Sequence, residues 1–225
     1  MLGLIMNRQL TITSLMEHAR KFHGEAEVVS VTADQPLHRY TYREAFARTA
    51  RLANALARFG MRPGERVGTL AWNDYRHLEV YFATSSSGFV CHTINPRLFP
   101  EQIEYIVEHA EDRWLFVDPA FVPLLEALKH RLGCVEGFVI LGPAGAAANT
   151  TLRNAVDYET LIAGEPDTFD WPELDENSAC SMCYTSGTTG LPKGVVYSHR
   201  ALVLHTYGCL MPDVMNLSAR EVVMP

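Results

Sequence analysis

Between Tyr42 and Leu141 the sequence alternates amphipathic helical segments with short apolar extended ones, and this alternation restricts the fold more than any other feature. Phe46, Thr49, Leu52, Leu56 and Phe59 recur three or four apart, and Gly60 follows with Pro63 just beyond, which predicts a helix over 42–59. The run ERVGTLAW (65–72) predicts a buried strand, 75–85 a helix, 89–93 a strand, and 100–110 a helix opened by Pro100. A strand over 113–117, a helix over 119–131 and a strand over 137–141 complete the series. Repeated strand-helix units predict an α/β fold of mostly parallel sheets flanked by helices.

With 225 residues, 48% of them apolar, the chain is long enough to bury a full core. Its formal net charge of -7 leaves no basic excess to hold nucleic acid or an anionic membrane over a broad face, so any anion site must be local. Five cysteines occur without a secretory leader, since Leu2, Leu4, Ile5 and Met6 give way to Asn7 and Arg8. Reduced thiols and a cytoplasmic location are expected. No apolar run approaches the roughly 20 residues that cross a bilayer, so no transmembrane segment is expected.

Two stretches read as linkers: GPAGAAANTT (142–151), and 164–177, which carries two prolines and six acids. The second divides the expected organisation into a first α/β lobe (1–163), an acidic linker (164–177) and the start of a second lobe (178–225). In that last part 178–185 reads as a strand, a Gly/Thr loop follows, 194–197 is extended again, and Ser198 is placed to cap a helix. The apolar run Glu221-Val222-Val223-Met224 before Pro225 reads as the entry to another strand, so an incomplete domain is expected.

Residues 184–194, YTSGTTGLPKG, place four Ser/Thr hydroxyls, three glycines and one ammonium within eleven positions. Gly187 and Gly190 permit positive φ and close backbone approach, which lets successive N–H groups converge on an anion. Thr185, Ser186, Thr188 and Thr189 add hydroxyl donors, and Lys193 adds a mobile point charge. No Asp or Glu occurs between Glu176 and Asp213, leaving Lys193 and Arg200 unopposed in sequence. The chain has only three lysines, Lys21, Lys129 and Lys193, among nineteen basic residues, so a lysine at this loop is not background. The plain alternative is a Gly/Ser/Thr-rich surface loop. A Walker A loop fails on register: counted from Gly187, Pro192 stands where the second glycine belongs, and Lys193 is followed by Gly194 instead of a hydroxyl residue.

The string YTSGTTGLPKGVVYSHR (184–200) resembles the signature loop of the adenylate-forming (AMP-binding) superfamily of acyl-CoA synthetases, luciferases and peptide-synthetase adenylation domains. Tyr40-Thr41-Tyr42-Arg43-Glu44 and Gly64-Glu65-Arg66-Val67 are similar to its early landmarks. Thr93-Ile94-Asn95-Pro96-Arg97-Leu98-Phe99 with Glu101-Gln102, and His109-Ala110-Glu111-Asp112, resemble medium- and long-chain fatty acid CoA ligases and their relative acting on 3-methylthiopropionate. The resemblance implies an incomplete N-terminal domain of an acid-thiol ligase of fatty acid metabolism. Such an enzyme uses Mg-ATP to convert a carboxylic acid into acyl-adenylate and pyrophosphate, and coenzyme A then displaces AMP. It also implies that Thr185, Ser186, Gly187, Thr188, Thr189, Gly190 and Lys193 bind the ATP phosphates, with the Thr185 hydroxyl contacting Mg2+. Tyr184, Leu191 and Pro192 are expected to shape the loop. No catalytic residue of the family maps onto this chain, which alone is expected to be inactive; its parent is expected to be a homodimer taking small-molecule substrates and no nucleic acid. The competing class is a non-catalytic nucleotide-binding module of the same fold; an NTPase is a more distant third.

Other groups carry weaker signals. Cys180-Ser181-Met182-Cys183 has metal or redox spacing, but residues three apart on a strand face opposite sides, so core thiols are expected. His199 and His205 lie near the loop, with packing and phosphate roles both open. Ser85-Ser86-Ser87-Gly88 lacks a hydrolase elbow and reads as a helix end. Asn95-Pro96-Arg97 reads as a turn, with a role at a subunit contact or substrate entrance left open by the resemblance.

Overall fold

Thr41 starts the first long helix by a reciprocal cap: its hydroxyl accepts the Glu44 N–H at 3.3 Å while the Glu44 carboxylate accepts the Thr41 N–H at 2.7 Å. This is seen in a computed structural model that describes residue 1 and residues 3–185 and 191–224. Helix α1 (Ile12–Phe22) and an antiparallel pair, β1 (Glu27–Ser30) and β2 (His38–Thr41), precede α2 (Tyr42–Ala57). The chain then alternates as expected through β3 (Arg66–Leu70), α3 (Tyr75–Ser86), β4 (Val90–Thr93), α4 (Pro100–Ala110), β5 (Asp112–Val117), α5 (Val122–Leu128) and β6 (Gly137–Ile140), and β7 (Val156–Asp157) and α6 (Tyr158–Ile162) add a further pair. The last described elements are β8 (Ala179–Thr185), β9 (Lys193–Ser198) and α7 (His199–Leu210).

The strands from β3 onward form one sheet in the order β7-β6-β5-β3-β4-β8-β9, parallel except for β9, which runs antiparallel to β8. The middle of the sheet is buried on both faces, so β5 and β6 carry continuous apolar runs instead of alternating, as Leu115-Phe116-Val117 and Phe138-Val139-Ile140 show. Successive side chains still part company. Phe116 and Val139 pack with Leu52, Leu56 and Val80 under α2, α3 and α6, whereas Leu115, Val117 and Phe138 pack with Ile103, Val107 and Leu125 under α4 and α5. Each such fully buried side chain contributes about 1.5–3 kcal/mol by leaving water.

The 119–131 segment is not one helix: Pro119–Phe121 forms a 3-10 turn capped by Asp118, and α5 ends at Leu128. Neither linker reading describes a loose connection. In 142–151 the N–H groups of Gly145 and Ala147 donate to the Asp157 carboxylate, and Glu126 accepts from Thr150 Oγ1 and the Thr151 N–H. The 164–177 strap crosses α2, where Asn54 Nδ2 donates to the carbonyls of Pro166 and Thr168 and where Phe169 and Trp171 pack on the core. Beyond the strap, β8 pairs with β4 through Cys91↔Ser181, so among the described residues β8 and β9 extend the first sheet.

Candidate functional site

Because β8 runs parallel to β3 and β4, the turn after it emerges at the carboxyl ends of the sheet, where open α/β folds place their ligands. The β8–β9 register sets Thr185 opposite Lys193 and Tyr184 opposite Gly194. The two ends of the glycine-rich loop are therefore cross-strand neighbours, and both Thr185 and Lys193 are exposed. Ser186, Gly187, Thr188, Thr189 and Gly190 lie outside the described residues. Leu191 is exposed and Pro192 is buried against the hairpin base.

Tyr184 anchors that base. Its hydroxyl meets His109 Nδ1 at 2.7 Å, its ring packs on His92 with centroids 5.2 Å apart, and a Cβ on Gly194 would stand 3.1 Å from its Cζ. Gly194 therefore owes its identity to the ring lying over it, a reason the sequence did not disclose. Tyr184 and Cys183 also line a cavity of about 380 Å³ at the ends of β3, β4 and β8, together with Asn73, His77, Thr93 and Asn95. His77 Nδ1 lies 3.2 Å from the Trp72 carbonyl, which can only accept, so Nδ1 carries the proton and Nε2 faces Thr69 Oγ1 at 3.0 Å. Burial holds the His77 pKa below its ordinary value and keeps the ring neutral.

The neighbouring candidates take structural roles. Ser198 caps α7 as expected, accepting the Ala201 N–H at 3.1 Å. His199 is fully buried and its Nδ1 accepts the Ile12 N–H at 3.2 Å, so the ring ties α1 to α7. Arg200, unopposed in sequence, is paired in space with Glu176 at 2.5 Å. Ser85 Oγ donates to the Cys180 carbonyl at 2.9 Å, which fixes a helix end. Asn95 Oδ1 accepts the Arg97 N–H at 3.0 Å, making the turn. All five cysteines are free; Cys180 is buried and Cys183 half-buried, and the described residues bring together no group of three or more potential metal ligands.

A buried ionic cluster escaped the sequence reading. Arg76, only 1% exposed, grips Asp34 through two nitrogens (3.0 and 2.8 Å) and Glu159 at 2.9 Å. Arg48 links Glu159 to the buried Glu79, which also accepts from the Tyr158 hydroxyl at 2.6 Å. The Arg76 guanidinium pulls Asp34 down to about 2. Each charge has partners, and the cluster joins the β1–β2 turn to α2, α3 and α6.

A profile of the AMP-binding enzyme family matches residues 15–225. The chain belongs to the AMP-binding enzyme family. It is 50% identical over its whole length to the 3-methylmercaptopropionyl-CoA ligase of Ruegeria lacuscaerulensis and 48% identical to the medium-chain-fatty-acid–CoA ligase of Ectopseudomonas oleovorans. It spans only 42% and 41% of those two relatives. The solved anthranilate CoA ligase AuaEII in complex with anthranoyl-AMP superposes with a TM-score of 0.74 at 26% identity, over 86% of this chain and 36% of that one. This AMP-binding chain thus corresponds to about two fifths of its ligase relatives. No helix among its described residues is long and apolar enough to cross a membrane.

Proposed function

We propose that this chain carries the ATP phosphate loop of an AMP-forming acid-thiol ligase acting on a fatty or related carboxylic acid. The supporting observation is the hairpin that brings Thr185 and Lys193 side by side at the carboxyl ends of the sheet, in a member of the AMP-binding enzyme family. The reaction has two halves: a carboxylate oxygen attacks the α-phosphorus of ATP and pyrophosphate departs, then the thiol of coenzyme A attacks the acyl carbon and AMP departs. Charge gathers on the leaving pyrophosphate in the first half, where fixed donors act most strongly. Lys193 and the hydroxyls and N–H groups of 185–190 would hold those oxygens.

Mg2+ fits this donor set, since it takes few protein oxygens and completes its shell with phosphate and water. The exposed hydroxyl of Thr185 is the residue that would contact it, and the ion would supply charge neutralisation on the phosphates. The acid, ATP and coenzyme A are the partners under this reading; the location is cytoplasmic and the parent enzyme is a homodimer. The test is acid-dependent exchange of labelled pyrophosphate into ATP with short-, medium- and long-chain acids and 3-methylmercaptopropionate. It is run on the 225-residue chain and on any longer product of the same reading frame. Exchange that needs an acid supports the ligase. Mg-ATP binding without exchange in either form supports a non-catalytic nucleotide module, and acid-independent hydrolysis an NTPase.

A further inference from the structure

The most unusual polar group in the molecule lies beneath Tyr184. His92 on β4 and Asp112 at the start of β5 are both fully buried, and His92 Nδ1 meets Asp112 Oδ2 at 2.8 Å. These strands are not neighbours: β3 runs between them. The pair forms because β3 places Gly68 beside His92, in register, where a Cβ would come within 2.8 Å of Asp112 Oδ2. Apolar side chains would fill such a site at no loss of stability, since a buried ionisable pair repays its desolvation only with good geometry and further partners. Yet His92 Nε2 and Asp112 Oδ1 have no hydrogen-bond partner among the described residues.

The placement of the pair accounts for it. Asp112 fixes the orientation of the His92 ring, and that ring packs on Tyr184 from below while His109, on α4, holds the Tyr184 hydroxyl from the side. Tyr184 directly precedes Thr185 and lies over Gly194, which directly follows Lys193. One ring therefore touches both ends of the loop.

Resting on the phosphate-loop reading, we propose that His92, oriented by Asp112, is a positioning residue that fixes the Tyr184 clamp and through it the spacing of Thr185 and Lys193 on the phosphates of ATP. His92 touches no phosphate; it acts through Tyr184.

The test compares His92→Phe, Asp112→Leu and Lys193→Ala with Leu52→Ala, a cavity on the opposite face of the sheet that lowers stability without touching the clamp. Two readouts are taken on the chain: Mg-ATP affinity by calorimetry, and amide hydrogen exchange at Tyr184, Thr185, Gly194 and Val195. His92→Phe keeps a ring of similar size but cannot be oriented by Asp112. It is expected to weaken Mg-ATP binding about tenfold and to speed exchange selectively in the hairpin, whereas Leu52→Ala changes affinity less than about twofold. Unchanged hairpin exchange and affinity in His92→Phe, or changes no larger than those of Leu52→Ala, overturn the proposal. If Lys193→Ala weakens binding and His92→Phe does not, the clamp fails and the loop reading stands. If the unaltered chain binds no Mg-ATP, the loop reading fails, and the exchange comparison still decides whether His92 positions the hairpin. Should His92→Phe not fold, Asp112→Leu, which removes the carboxylate that orients His92, is judged by the same two outcomes.

Discussion

His199 accepts the backbone N–H of Ile12 on its Nδ1 across 187 positions of sequence. An acceptor nitrogen has no proton, so the ring must be neutral with its proton on Nε2. Burial lowers the His199 pKa from 6.5, which makes the unfolded chain the stronger proton binder just below that value. The contact is therefore fully stabilising above about pH 6.5 and is lost as pH falls below it. Urea unfolding at pH 7.5 and 5.5 is expected to show a drop in midpoint that His199→Gln, which keeps an acceptor but cannot take the proton, reduces. Equal slopes in the two proteins would remove His199 from the acid response.

By charge alone Lys193 and Arg200 were equivalent in sequence, as the Lys and Arg of a carboxylate-free stretch. Arg200 pairs with Glu176, whose second oxygen accepts the Leu10 N–H, whereas Lys193 stands exposed opposite Thr185 at the mouth of the loop. Lys193→Ala is expected to lower acid-dependent pyrophosphate exchange on the order of a hundredfold, the usual loss for one preorganised donor to a developing anion. Arg200→Ala is expected to leave exchange within about twofold, because its exposed ion pair contributes little. Similar losses in both would place Arg200 at the phosphates.

What the sequence could announce was whatever is local. The Ser198 cap of α7, Pro100 at the start of α4 and the apolar strands β3 to β6 each follow from a few adjacent residues, and each appears where expected. The strands on either side of the glycine-rich stretch were legible for the same reason. Tethers between distant residues were not: Asp157 orders the Gly/Ala stretch 142–151, and Asn54 holds the acidic strap, so two apparent linkers are fixed parts of the fold. Helix α1 does carry an amphipathic signal, with Ile12, Leu15, Met16 and Ala19 at helical spacing, whereas the four-residue strands β1 and β2 are too short to announce themselves; these elements are held by Glu176, His199 and Arg76 from far along the chain.

Arg76 is the cluster's least exposed cation, and removing it strands the Asp34 carboxylate and leaves Glu159 to Arg48 alone, each carboxylate being about a quarter exposed. Arg76→Met is expected to destabilise the chain by about 3 kcal/mol in urea unfolding, because breaking a buried pair leaves uncompensated charge. The same change should return the Asp34 pKa from about 2 toward its ordinary 3.8, visible in a carboxyl NMR titration. With the guanidinium present, this contribution is full above about pH 3.8 and disappears as pH falls toward 2, since the group with the depressed pKa is protonated last in the folded state.

Two glycines separate crowding from backbone strain. Gly68 has ordinary backbone angles but no room, since a Cβ would meet the side chains of Leu115 and Asp112 in the middle of the sheet. Gly60 has open space around it but a φ of +67°, just after α2. Gly68→Ala is expected to cost about 1–3 kcal/mol through displaced neighbours. Gly60→Ala is expected to cost about 1 kcal/mol through its left-handed backbone alone, and Gly60→Asn less, because asparagine tolerates that region. Urea midpoints for the three variants check the order. A Gly68→Ala protein as stable as the parent would mean that β3 shifts freely, and the His92–Asp112 pair across it would then have no fixed geometry to lend to Tyr184.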